Sequence, residues 1–405
     1  MELLPRRAGQ WLCLLSWLLA TQTCVRQYAL QAADRPTEGS AASSVLPRLE
    51  PALQKFIDDH EISGAVTLVS CADKFTEITA IGEADVETHR PMRPDTLFAI
   101  ASMTKPITAT ALMILWDAGK LSLDDPVEKY LPEFKEAALA SGPPQRTITI
   151  RDLLTHTAGL HGEQRNEGTL AESVVKFAHR PLAYEPGTKW QYSPAISVCG
   201  RIVEVVAGQP YDAFLAARIF GPLQMKDTSF MPSAEQQKRI AQLYERDKDS
   251  QTLKPAKHWI TDLALPNRSP NPSGGLFSTA PDLLRFYRMI LNRGELDGQR
   301  IVSPEAVAEM TRLQTGDLTT GFTPGNGWGL GWCVVRQPQG VSEVLSPGSF
   351  GHGGAFGTQA WLDPKREAIY VLLIQRVGLP NSDGSPIRAE FQKIAGEAVS
   401  SVTGP

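Results

Sequence analysis

The sequence predicts an α+β fold in which strands from both ends of the chain share one antiparallel sheet. Three observations carry that expectation. Strand-like runs occur early and late, a long helical stretch separates them, and a helix with an apolar stripe stands at each end. Residues 46–59 place Leu49, Leu53, Phe56 and Ile57 on one helical face. Two alternating runs follow, 64–70 (GAVTLVS) and 75–81 (FTEITAI), joined by a short polar turn. Residues 102–118 are apolar around nearly the whole circumference, as in a helix buried mid-domain, and Gly119 closes them. Between Leu121 and Asn267 the signals are helix and loop. There Ser193 and Pro194 read as the cap and first turn of a helix running to Ala207, with Gly208 as its stop. Residues 281–291 (PDLLRFYRMIL) form another amphipathic helix. Strands return at 357–362 and 368–375, and a last helix from Ser385 carries Phe391, Ile394, Ala398 and Val399 on one stripe. The simplest packing is a sheet lobe from about 46–105 and 270–405 with the terminal helices on one face. A helical lobe of about 106–269 is inserted, and the site lies in the crevice between the two.

Composition bounds the function. Of the 405 residues, 42% are hydrophobic and 21% charged, an ordinary globular balance. A net charge of −4, with no basic run interleaved with aromatics, argues against nucleic acid as a partner. Residues 1–32 read as a cleaved signal peptide: Arg6 and Arg7 precede an apolar run at 11–20 (WLCLLSWLLA), too short to cross a bilayer. Cleavage after Ala32 leaves an exported protein, periplasmic or secreted, with no stable membrane span. Residues 33–45 are polar and small, a linker to a domain over 46–405. Cys13 and Cys24 leave with the leader. Cys71, Cys199 and Cys333 are odd in number, far apart and set among apolar or small neighbours, as buried thiols are.

Ser102-Met103-Thr104-Lys105 is a Ser-x-x-Lys tetrapeptide at a predicted helix start. Residues three apart share a helix face, so the lysine amine can reach the serine hydroxyl. A hydroxyl is a poor nucleophile until a base takes its proton, and burial makes a lysine a better base. A second copy, Ser173-Val174-Val175-Lys176, lacks the preceding strand and the wholly apolar helix, and reads as an ordinary helix pair. Tyr192, just before a helix cap, is a candidate proton relay if it lies next to the lysine, where its phenol would deprotonate more readily. Gly351-His352-Gly353-Gly354-Ala355 is a glycine-rich run whose backbone a substrate can approach and whose N–H groups suit an oxyanion hole. His156 and His161 are five apart on a stretch that bends at Gly159, with no third ligand in pattern, so no metal site is expected. No phosphate-binding glycine loop with Gly-Lys-Ser/Thr and no Gly-x-Ser-x-Gly elbow occur, and no cofactor is expected.

Taken together, the stretches FAIASMTK (98–105), ITIRDLLTHTAGL (148–160), EPGTKWQYS (185–193), SGGLFSTAPDLLRF (273–286) and GHGGAFG (351–357) resemble the β-lactamase-related serine hydrolases. That group includes class C β-lactamases, penicillin-binding DD-peptidases, D-aminopeptidases and family VIII carboxylesterases. The resemblance covers about residues 46–400 and implies the β-lactamase/transpeptidase-like fold. It also implies an acyl-enzyme on Ser102, with Lys105 and Tyr192 handling protons and the backbone N–H groups of Ser102 and Ala355 holding the oxyanion. His352, Gly353 and Gly354 would line the substrate, a small ester or amide. His352 stands where many members carry a lysine. Many penicillin-recognising members read Tyr-x-Asn, whereas this chain reads Tyr192-Ser193-Pro194, and proline brings no side-chain amide. The expectation is therefore an esterase on short acyl esters. β-Lactamase or D-amino-acid peptidase action is the alternative, and an inert scaffold of the same fold a further one.

Overall fold

The computed structural model describes residues 41–166, 168–265 and 268–403. The leader expected over 1–32 lies outside the described residues. Five helices organise the chain: α1 (Leu49–Asp58), α2 (Thr104–Asp117), α3 (Ala195–Ala207), α4 (Ala280–Leu291) and α5 (Pro386–Thr403). The main sheet holds β1 (Gly64–Cys71), β2 (Phe75–Asp85), β3 (Arg90–Pro91), β4 (Asn326–Trp328), β5 (Cys333–Val335), β6 (Phe350–Gly353), β7 (Gln359–Asp363) and β8 (Ala368–Leu373). Their spatial order is β4-β5-β6-β7-β8-β1-β2-β3, antiparallel throughout.

The first and last strands meet at the centre of this sheet, where β1 pairs with β8 from Val66 opposite Leu373 to Cys71 opposite Ala368. Every residue of β1 is buried because both faces are covered. Val66 and Leu68 face Leu283, Phe286, Met289 and the apolar flank of α2. Ala65 and Val69 face the opposite way, onto Leu49 and Leu53 of α1 and Phe391, Ile394 and Ala398 of α5. The period-two alternation of the strand thus separates two cores. From Thr104 to Leu115 every residue of α2 is buried, as its all-round apolar pattern requires.

Several details differ from expectation. Residues 41–45, expected to be the end of a linker, form a helical turn with Ala42 fully buried in the core shared by α1 and α5. Strands β4, β5 and β6 have no counterpart in the hydrophobic pattern: they are three or four residues long, and glycine interrupts β4 and β6. The largely helical insert also holds a small hairpin, Tyr244–Arg246 with Leu253–Pro255. Ser193 does not cap α3; Pro194 occupies that position, and the Ser193 hydroxyl lies 3.3 Å from His156 Nδ1. No helix among the described residues is long and apolar enough to cross a membrane.

Candidate active site

Ser102 lies in a one-turn 3₁₀ helix, Ala101–Met103, that leads into the N-terminus of α2. The residue before it, Ala101, has φ +44°, a left-handed conformation that costs a non-glycine residue energy and persists only when its surroundings impose it. Two glycine segments impose it. At Gly354 a Cβ would collide with Thr358 Oγ1 and stand 2.7 Å from the Ile100 carbonyl and 3.3 Å from the Ala101 Cβ. The Thr358 hydroxyl donates to that same Ile100 carbonyl at 3.3 Å. On the other flank, a Cβ on Gly274 would stand 3.5 Å from the Ala101 carbonyl carbon. This packing brings the exposed backbone turn at Ala355 up to the nucleophile turn.

Lys105 is wholly buried (0% exposed) one helical turn on. Its Nζ lies 3.1 Å from Ser102 Oγ, 2.9 Å from Gln164 Oε1 and 2.6 Å from the Ser273 carbonyl oxygen. A neutral amine has two N–H donors and one lone pair. Donating to the two carbonyl oxygens leaves that lone pair for the Ser102 O–H. Burial depresses the Lys105 pKa well below the ordinary 10.5, because an ammonium there would lose its hydration.

Tyr192 closes the group from above, with Lys105 Nζ 4.5 Å from its ring centre. The expectation that a neighbouring lysine would ease its deprotonation is corrected. Burial pushes the phenol pKa upward and is the largest influence on it. Tyr192 thus stays a proton donor. Around it pack His156 (ring centres 4.7 Å apart), Phe322 (5.1 Å), Trp328 (6.1 Å) and His352 (6.1 Å). His352 is buried on β6, and burial with the nearby Lys105 lowers its pKa to about 3. Its Nδ1 donates to the Gly353 carbonyl at 2.6 Å, which leaves Nε2 as an acceptor without a protein partner. The pKa of His156 is held well below the usual histidine value, chiefly by burial.

The structure thus brings Ser102, Lys105, Tyr192 and His352 together, with the Gly353-Gly354-Ala355 run that follows His352 packed through Gly354 on the turn before Ser102. The second tetrapeptide is elsewhere: Ser173 is buried, its hydroxyl donating to the Thr169 carbonyl of its own helix at 3.0 Å, while Lys176 is exposed. His161, further along the same loop as His156, is not part of the aromatic cluster, and its Nε2 lies 2.9 Å from the Pro181 carbonyl. Cys71, Cys199 and Cys333 are buried and unbridged. Sequence reasoning missed the two acceptors that hold the lysine. The SGGLF run pointed to the region of Ser273, but the group used is a backbone carbonyl, which leaves no mark in residue type.

The Beta-lactamase family model matches residues 49–393, most of the chain. The chain belongs to the Beta-lactamase family. Among relatives, Esterase EstB of Burkholderia gladioli is 31% identical over 85% of this chain and 93% of its own length. Penicillin-binding protein 4 of Amycolatopsis lactamdurans is 36% identical over 74% of this chain and 77% of its own. Among solved structures, EstCE1, described as a hydrolase with promiscuous acyltransferase activity, superposes with a TM-score of 0.77 at 27% identity. That likeness covers 89% of this chain and 99% of that one. This Beta-lactamase family chain is accordingly a serine hydrolase of the β-lactamase/transpeptidase-like fold.

Proposed function

We propose that this protein is an esterase that cleaves short acyl esters through an acyl-enzyme on Ser102. The observation that carries the reading is the fully buried Lys105, its pKa pulled well below the ordinary value by burial, with Nζ 3.1 Å from the Ser102 hydroxyl. Ser102 Oγ attacks the ester carbonyl carbon as its proton passes to Lys105 Nζ. The carbonyl oxygen, now an oxyanion, takes hydrogen bonds from the backbone N–H groups of Ser102 and Ala355. Collapse breaks the bond to the alcohol, which takes a proton from the Tyr192 phenol, and Lys105 returns the proton to Tyr192. Water, deprotonated by the same pair, then releases the acid and restores Ser102.

Two features favour an ester over a β-lactam or a D-alanyl peptide. Pro194, after Tyr192 and Ser193, offers no amide to a substrate's side-chain amide, and His352, with a pKa of about 3, offers no positive charge to a carboxylate. A short ester requires neither contact. Each is worth about 1–3 kcal/mol to a substrate that does require it, so p-nitrophenyl acetate or butyrate should exceed a chromogenic cephalosporin in kcat/KM by at least about thirtyfold. A D-alanyl-D-alanine peptide should also turn over slowly. Efficient cephalosporin hydrolysis with negligible ester turnover would favour the β-lactamase reading instead. The absence of turnover on all three, with no serine adduct, would favour an inert scaffold.

We also propose that residues 1–32 are an export leader, on the strength of the basic pair and short apolar run. Amino-terminal sequencing should find the mature chain starting near Ala33, outside the cytoplasm. An intact Met1 on cytoplasmic protein would contradict this.

A further inference from the structure

The lysine's surroundings assign a role to a residue outside the nucleophile, base and tyrosine. Gln164 lies on the loop between the helices Ile150–Leu154 and Leu170–Ala178, 59 residues after Lys105, and sends its carboxamide oxygen to within 2.9 Å of Nζ. The loop is fastened where it matters. Asn271, buried at 3% exposure, donates from Nδ2 to the Gln164 carbonyl at 2.7 Å, and its Oδ1 accepts from the Ser273 N–H at 2.8 Å. One asparagine side chain therefore locates both residues whose oxygens receive the Lys105 hydrogens. Asn166 and Ser269 add two further ties between the same segments, to the Pro270 carbonyl at 2.8 Å and the Gly168 carbonyl at 2.7 Å.

We propose that Gln164 is a positioning residue for the base: its carboxamide oxygen, set by Asn271, aims the Lys105 lone pair at Ser102. The inference rests on Lys105 being the base in the acyl-enzyme reading. An amine held only by Ser102 and the Ser273 carbonyl has one hydrogen without a partner inside a dry pocket, and can turn its lone pair away from the nucleophile. A neutral carboxamide is also the right acceptor. It fixes the amine's direction without the full negative charge that would draw a proton onto it. The other titratable groups facing Lys105 are Tyr192, whose ring lies over it, and His156 and His352, both held neutral by burial. No carboxylate contributes to the lysine's shift. The charge state of Lys105 is therefore sensitive to a carboxylate introduced at position 164.

The test compares Gln164→Glu, Gln164→Met and the wild-type protein by two readouts. One is the pH profile of kcat/KM on p-nitrophenyl butyrate; the other is the Lys105 titration midpoint by NMR, which needs no turnover. Gln164→Glu should raise the midpoint and the acid limb of the profile together by about one pH unit or more, with activity at neutral pH falling about tenfold and recovering in alkali. Gln164→Met, of similar volume and without the acceptor, should lower kcat about tenfold with KM little changed. Thermal melts confirm that each variant is folded, and a variant that fails to fold is replaced by Asn271→Ala, for which the same kcat loss is expected. An unmoved Lys105 midpoint in folded Gln164→Glu would overturn the proposal. If the wild-type protein turns over no ester, the acyl-enzyme reading fails, and the NMR midpoints still decide whether Gln164 governs Lys105.

Discussion

At the scale of single residues, the site depends on an amine that the fold would be more stable without. Lys105 is fully buried and its pKa is depressed from 10.5, so between its folded and unfolded pKa the folded chain binds fewer protons than the unfolded one. The sign follows: a lysine with a lowered folded pKa subtracts stability below its unfolded pKa, and the penalty fades as pH rises toward 10.5. Lys105→Met should therefore raise the melting temperature at neutral pH, by a margin that shrinks as pH approaches 10, while ester turnover falls by orders of magnitude. Equal melting temperatures across that range would mean the amine is not desolvated. Ser102, Lys105 and Tyr192, which the proposed reaction uses through their own side chains, could be singled out in the sequence because that chemistry needs those residue types. Ser273 and Gln164 were not: one contributes a main-chain carbonyl, and the other is a glutamine on a loop with no periodic signal around it.

At the scale of elements, catalysis depends on short, irregular pieces pressed against regular ones. The glycine run at the end of β6 is the clearest case. Gly354 packs so closely on Ile100 and Ala101 that a methyl group there must push the turn away from Ser102. Gly354→Ala should lower kcat by about 10²-fold, the usual cost of losing one oxyanion donor, with a smaller change in KM. Wild-type kcat in that variant would show that the turn does not carry the oxyanion donor. The same contrast explains what the hydrophobic pattern could and could not show. Helices α1, α2, α4 and α5 and strands β1, β2, β7 and β8 are long enough to display their period, and each falls within a few residues of its expected bounds. Strands β4, β5 and β6 have three or four residues each, and Gly327, Gly351 and Gly353 within them carry no side chain to alternate. Only their neighbours in space define them.

At the scale of the whole molecule, the two ends of the chain close the fold together. β1 and β8 are adjacent, and α1 and α5 cover the same face of them, so the sheet supporting β6 and its catalytic turn is complete only when residues near 50 and near 390 have docked. Phe391 of α5 is fully buried in that layer. Phe391→Ala should cost about 3–5 kcal/mol, the range for emptying an aromatic core position, read as a lowered denaturation midpoint with an unchanged denaturant slope. A loss below about 1 kcal/mol would mean that the helix is not integral to the core. The architecture was legible because this closure leaves strand signals at both ends of the sequence. The cleft was less so, since it gathers segments near residues 102, 164, 192, 273 and 352 that only the folded chain brings together.

The claim on which all of this depends is that acyl transfer passes through Ser102. The direct measurement is a rapidly quenched reaction with p-nitrophenyl butyrate, followed by peptide mass spectrometry. The butyryl mass should appear on the peptide containing Ser102, persist in Ser173→Ala, and vanish together with turnover in Ser102→Ala. Ester turnover that survives in Ser102→Ala, or an acyl group found on another residue in the wild-type protein, would contradict the account.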